Sequence, residues 1–453
     1  MGLAACLPAL AQSTNPLLTC TAAQVRATER YWFTGNEVAI DFGVSGSSYN
    51  ITTNAATAAN VYEASTVVTD GSGVLQFWVG EGVVHNRNQE PMDNGTGLTG
   101  AVELNGNYSA VQGFVAFAAA GVPGKYFVVA TTGFTTPTTT PGDLYYSVVD
   151  MTANGGLGAV TATKNVLVPG STGLASEVLT AVPTSDGLGH WVITTQYNSS
   201  NLVAIKFDDN GPVGAPVTTV LSQPIGGAFG SAYFNPQLNR LVVLSGARMS
   251  LGGSSYAFLM QFNATTGQAT ELAAWPVPVA GAADPNAGAS GSRAAYAADF
   301  SPSGNYVYVS QIQPGRLWRY NVSSEDSTTI AASEEFVGET STGASGGGHI
   351  RRGPDGAMWI ANRGTNTTLT RIPNPDAATV AGIGFVAGNI ALPAGAASSW
   401  GLPQTVGGCA PAVTPTNFNL GSGQAIPTLN EWVLMLLALA MLGMAGLHRK
   451  RGV

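Results

Sequence analysis

One stretch of this chain, taken alone, would specify a nucleophile. Gly343-Ala-Ser345-Gly-Gly347 fits Gly-x-Ser-x-Gly, the elbow that holds a serine hydroxyl toward a base, and His349 follows closely. Such an elbow needs a strand before it and a helix after it, whereas the surrounding Thr-Ser-Thr-Gly-Ala-Ser-Gly-Gly-Gly-His run reads as a glycine/serine loop. A base in a flexible loop has no orienting partner, so no catalytic residue is assigned. Asp208-Asp209-Asn210-Gly211 and Asp70-Gly-Ser-Gly73 raise calcium chemistry, which wants clustered carboxylates and carbonyls. Both lack a later acid, and tight turns demand these same residue types, so plain turns are expected. Four histidines (His85, His190, His349, His448) and three cysteines (Cys6, Cys20, Cys409) show neither CxxC nor HExxH. Neither a metal nor a cofactor is assigned.

Cations are scarce, since only 10% of residues are charged. Arg316, Arg319, Arg351, Arg352 and Arg363 therefore stand out, and we expect them to border one face and bind an acidic glycan through forked contacts. Trp78, Trp191, Trp318 and Trp359 recur within the second or third strand of their repeating units; packing between sheets explains them, with a stacking platform for glycans as the alternative. A net charge of −8, with no Lys/Arg cluster before the last residues, argues against nucleic acid as a partner.

The elements that must carry these residues read as strands. With 58 Gly, 25 Pro and 45% hydrophobic residues, turns are frequent and core material ample, which favours many short strands. A recurring unit appears: Tyr296 to Phe300, a Ser301-Pro-Ser-Gly304 turn, Tyr306 to Ser310, a Gln313-Pro-Gly315 turn, then Arg316 to Tyr320. Others run from Ser231 and Gly348, and comparable units begin near Ser65, Gln112 and Val178, spaced by about 47 to 65 residues. That spacing suits the four-stranded blades of a β-propeller. The expectation is an all-β, seven-bladed propeller over residues 20–409, with six blades as the alternative. The seventh blade would combine both ends, taking Ser398 to Pro403 as inner strand and Arg30 to Phe33 and Val38 to Phe42 as the next two. This closure brings Cys409 near Cys20, and a disulfide between them is expected in an oxidising compartment.

The two ends indicate a destination. Residues 1–11 read as the remainder of a signal peptide closing on Ala9-Leu10-Ala11, a signal peptidase site, with an upstream start; a lipobox-like Leu3-Ala4-Ala5-Cys6 is the lesser alternative. Residues 410–425 read as a linker. Within 426–453, Ile426-Pro427-Thr428-Leu429-Asn430-Glu431-Trp432 leads into an apolar run and then His448-Arg449-Lys450-Arg451. The apolar residues from Trp432 make about 24 Å of helix, enough to serve as a single transmembrane segment with the basic tail cytoplasmic.

This segment resembles the IPTL-CTERM sorting domain of Gram-negative bacteria through Ile426, Pro427, Thr428, Leu429, Glu431 and Trp432, with Asn430 where Ser is common. The resemblance implies processing by an exosortase-like transpeptidase and passage of the ectodomain to the surface or matrix. The ectodomain resembles the WD40-like propeller of type IX-secreted and gliding-motility-associated surface proteins. The likeness lies in Trp32-Phe33-x-Gly35-Asn36, Asp70 to Phe77, Val84 to Asn88, Leu144 to Met151 with Gly155 to Gly158, and Gly401-Leu-Pro403. It implies a propeller of no established catalytic activity, without that family's export route. The expected function is a non-catalytic surface protein for adhesion, scaffolding or ligand display, with a glycan or protein ligand. A secreted lyase or glycosidase acting on extracellular polysaccharide is the alternative, and it would need convergent carboxylates or a His/Tyr pair at the central funnel.

Overall fold

The computed structural model describes residues 27–43, 48–53, 60–100, 108–135, 140–225, 229–246, 255–277, 295–312, 315–340, 346–363 and 367–406. They form a seven-bladed β-propeller. Blade 2 begins with Ser65–Thr69, Leu75–Gly80 and Val83–Asn86, and blade 3 with Phe114–Ala118, Lys125–Thr131 and Leu144–Asp150. Blades 4 to 7 have inner strands Leu179–Pro183, Phe229–Asn235, Ala295–Phe300 and Gly347–Arg352, each followed by three antiparallel neighbours in chain order. These are the starts expected from the hairpin units.

Blade 1 is shared between the ends. Tyr31–Asn36, Val38–Asp41 and Asn50–Thr53 form its outer strands, and residues 397–401 lie along the innermost of these. The Asn36 N–H donates to the Ala397 carbonyl at 2.8 Å and the Ala397 N–H returns to Asn36 at 3.0 Å. The same segment continues to blade 2, where the Val67 N–H donates to Gln404 at 3.0 Å and the Gln404 N–H to Ser65 at 2.8 Å. Both edges of the ring are thereby paired, removing the exposed strands an open sheet would present.

Local chemistry explains the turns. At Ser301-Pro-Ser-Gly304 the Gly304 N–H donates to the Ser301 carbonyl at 2.8 Å with Gly304 at φ +74°, a conformation that favours glycine. The acidic motifs behave as turns too. Asp70 Oδ1 accepts the N–H of Ser72 and of Val74, and Asp208 Oδ1 accepts that of Asn210.

Trp78, Trp191 and Trp359 lie in second strands and are buried, whereas Trp318 lies in a third strand and is partly buried. Trp191 Nε1 donates to the Ala264 carbonyl, and Trp359 Nε1 to Asp355. These rings join aliphatic side chains in the apolar clusters that link neighbouring blades. The α-helix Ser327–Ala332 is capped by Asp326 and packs between blades 5 and 6 through Ile330, with Ser327 accepting the Ala274 N–H at 3.0 Å.

No helix among the described residues is long and apolar enough to cross a membrane. The expected transmembrane run, the linker, Ser345, Cys20, Cys409 and the signal segment all lie outside the described residues.

Candidate functional site

Because successive strands within a blade are antiparallel, all seven inner strands run in one direction around the axis. Their beginnings define a proximal face and their ends a distal face. Titratable groups far apart in the sequence, Glu63 to His349 at one face and Glu29 to Arg351 at the other, converge at both.

At the proximal end, Tyr296 is buried at the start of the blade 6 inner strand and donates its hydroxyl to Glu63, which also accepts from the Ser109 hydroxyl. Burial, reinforced by the Glu63 and Glu177 carboxylates, holds the Tyr296 hydroxyl well above its ordinary pKa, so it remains a proton donor. Glu177 accepts the Val111 N–H at 3.1 Å. His349, which the sequence places both beside a glycine/serine loop and at the opening of a hairpin unit, sits inside the strand Gly347–Arg352, fully buried, with its ring 5.5 Å from that of Tyr296. Its Nδ1 lies 3.1 Å from the Leu402 carbonyl, and burial pushes its pKa down to about 4, so the ring is neutral at physiological pH. Gly347 and Gly348 extend the strand because a side chain at Gly348 would meet the Trp400 carbonyl at 2.3 Å.

The axis between the faces is crossed by amides. Gln404 Nε2 donates to the Leu179 carbonyl on blade 4, and the Gln112 side chain accepts the Ala232 N–H at 2.8 Å while donating to the Ala232 carbonyl at 3.2 Å.

At the distal end, Arg351 is 4% exposed and donates to the Pro403 carbonyl and, at 3.1 Å, to Thr405 Oγ1. Its guanidinium lies 4.7 Å from the Tyr233 ring centroid, with Asp299 at 3.9 Å and Glu29 at 4.0 Å. Asp299 accepts the N–H of Phe300 and of Arg352, yet burial, opposed by Arg351, raises its pKa. Burial likewise pushes the Tyr233 hydroxyl up to about 12. Glu29, Tyr233, Asp299, Arg351, Arg352 and Thr405 line a cavity of about 30 Å³, which is room for a water or two.

The five arginines therefore do not border one face. Arg316, which starts its strand on the proximal side, pairs with Glu339 at 3.6 Å. Arg319 is fully buried, forked onto Glu335 and donating to the Ala377 carbonyl at 2.7 Å. Arg351 and Arg352 sit at the distal mouth, whereas Arg363 stacks 4.4 Å from the Trp400 ring on the proximal side. The alternating strand direction separates them, so a single glycan cannot meet all five. Glu63, Glu177, Tyr233, Tyr296 and Asp299 were not foreseen from the sequence. Tyr296 and Asp299 share one strand, Tyr233 lies on the inner strand of blade 5, and Glu63 and Glu177 stand just before the inner strands of blades 2 and 4, so only the ring arrangement of these strands points to the axis.

The family comparison matches one motif, IPTL-CTERM, over residues 424–450. No curated protein sequence matches the chain. Among solved structures, the chain is similar to hydrazine synthase of Kuenenia stuttgartiensis (12% identity, 74% of this chain and 93% of that one, TM-score 0.41). It is also similar to the Cps50 (Swd1) β-propeller domain of Myceliophteria thermophila (10% identity, 74% and 94%, TM-score 0.39). A third is the periplasmic gluconolactonase of Pseudomonas aeruginosa (14% identity, 55% of this chain, TM-score 0.34); the match takes in 66% of that chain, just under two thirds of its length. The fold assignment rests on the blades themselves, and these likenesses add nothing about function. The chain is thus an all-β, seven-bladed propeller that carries the IPTL-CTERM motif at residues 424–450.

Proposed function

We propose that this is an exported cell-envelope protein whose propeller is a rigid, non-catalytic platform for adhesion, scaffolding or ligand display. The observation that carries the export half is the IPTL-CTERM motif at residues 424–450, which fits processing by an exosortase-like transpeptidase. The display half is supported by an axis closed with the protein's own hydrogen bonds: Glu63 is engaged by Tyr296 and Ser109, and Gln404 spans to blade 4. In this reading residues 1–11 direct export, the apolar run after Trp432 holds the chain in the membrane until processing, and Cys20 and Cys409 pair outside the cytoplasm.

A second reading, a secreted lyase or glycosidase, is favoured by one observation, the raised carboxyl of Asp299 beside Arg351 at the distal mouth. Protease shaving of intact cells tests the first reading. The full chain should be cleaved at the surface, and a chain lacking residues 424–450 should not be retained there. Equal retention of both would end it. Turnover of an extracellular polysaccharide by the purified chain, abolished by Asp299→Asn, would select the second.

A further inference from the structure

The wedge between neighbouring blades widens away from the axis, and large rings fill it at most junctions. Between blades 7 and 1, Trp359 meets Trp32 at 6.3 Å, Phe42 at 5.6 Å and Tyr49 at 4.8 Å between ring centroids. Between blades 3 and 4, Phe117, Phe127 and Phe207 do the same, each pair within 5.8 Å. The junction of blades 1 and 2 begins alike, with Phe33 stacked on Trp78 at 5.0 Å and Trp78 on His85 at 4.0 Å. Farther out the filling stops. The cross-strand row behind Phe33 continues as Ala39 and Thr52, side chains too small to reach blade 2. A groove of about 410 Å³ remains, within the ~300–1,000 Å³ typical of small-molecule clefts.

Its lining is specific. The row parallel to Phe33, Ala39 and Thr52 is Tyr31, Asp41 and Asn50, which places an aromatic ring, a carboxylate and an amide side by side on one sheet face. Blade 2 contributes Arg87 and Gln89 opposite. Asp41, Arg87 and Gln89 are held before any ligand arrives. Arg30 is forked onto Asp41 at 2.7 and 2.8 Å and lies 4.6 Å from the Tyr31 centroid. Arg87 donates to the Gly156 carbonyl at 2.6 Å, and Gln89 accepts from Trp78 Nε1 at 2.8 Å. Planar amide, carboxylate and guanidinium groups beside a half-buried ring match a pyranose, whose C–H face suits an aromatic surface and whose hydroxyls both donate and accept.

We propose that this groove between blades 1 and 2 is a saccharide-binding site for one or two sugar rings, separate from both ends of the axis. The proposal deepens the display reading and rests on it. The full-length chain, purified in detergent, is titrated with glucose, galactose, N-acetylglucosamine and glucuronate by saturation-transfer NMR and calorimetry. At least one should bind. Ala39→Trp, which refills the wedge as the other junctions do, should weaken that binding by about tenfold or more, and Asn50→Ala and Arg87→Ala by several-fold. Arg240→Ala, at the surface pair with Glu325, should leave it unchanged. Absence of binding by every sugar, or unaltered binding in Ala39→Trp, overturns the proposal. Surface retention of the Ala39→Trp chain in intact cells reports on export and display independently, so a failed groove and a failed display reading give different results.

Discussion

At the scale of single residues, the chain spends its few charges in two ways. Arg351 is enclosed with Asp299 and Glu29, whereas Arg240 pairs with Glu325 at 2.5 Å on the surface, their side chains 23% and 52% exposed. Breaking an enclosed pair strands the remaining charges without water, so Arg351→Met should cost ~3–5 kcal/mol, while Arg240→Ala should cost less than about 1 kcal/mol, both read from urea unfolding. The histidines set the acid limb. His85, His190 and His349 are held down to about 4 by burial, below the 6.5 of an unfolded histidine. The unfolded chain therefore takes up protons that the folded one refuses. Stability is fully present above pH 6.5 and is lost as pH falls toward 4. His190 packs 4.6 Å from the Phe117 ring, so His190→Phe keeps the packing and removes the titration. The unfolding free energy measured between pH 7 and pH 4 should decline less steeply in this variant, by about 1–3 kcal/mol at the acid end.

At the scale of the element, closure depends on a strand with no room to spare. A Cβ at Gly401 would stand 1.5 Å from the Glu63 carbonyl, whereas one at Gly71, in an open turn, would meet nothing within 4 Å. Gly401→Ala should therefore loosen the pairing of the two chain ends and cost at least ~1–3 kcal/mol, with Gly71→Ala near neutral in the same denaturant titration. This strand also marks how far the sequence could be read. The blades were legible from local signals: alternation within Tyr306 to Ser310, turns such as Ser301-Pro-Ser-Gly304, and an unpaired remainder at each end that only a shared blade could use. What the inner strands bring together was not legible. Tyr296 and Glu63 are 233 residues apart and lie in units with no resemblance at those positions, so neither periodicity nor motif links them. His349 reads two ways for a related reason. Flanking glycines look like a loop, although here they let a strand pass close to the Trp400 backbone.

At the scale of the whole molecule, folding and address occupy separate lengths of chain. Among the described residues, the closing strand ends with Gln404, held by Ser65, Thr405, held by Arg351 and Glu29, and Val406, packed against blades 3 and 4. Chain connectivity divides just beyond them, into Met1–Pro411 and Ala412–Val453, and the IPTL-CTERM motif falls wholly in the second unit. Among the described residues, the hydrogen bonds that close the ring run from Asn36 and Ala397 to Gln404 and Thr405. Ring closure fixes every inner strand between two neighbours, so unfolding should be cooperative and insensitive to anything after the closing strand. Removing residues 424–450 should leave the thermal midpoint of the purified protein unchanged while altering where the protein resides in the cell. A midpoint lowered by several degrees would mean that the tail packs on the propeller and is part of the fold, and the division of labour between ring and tail would be lost.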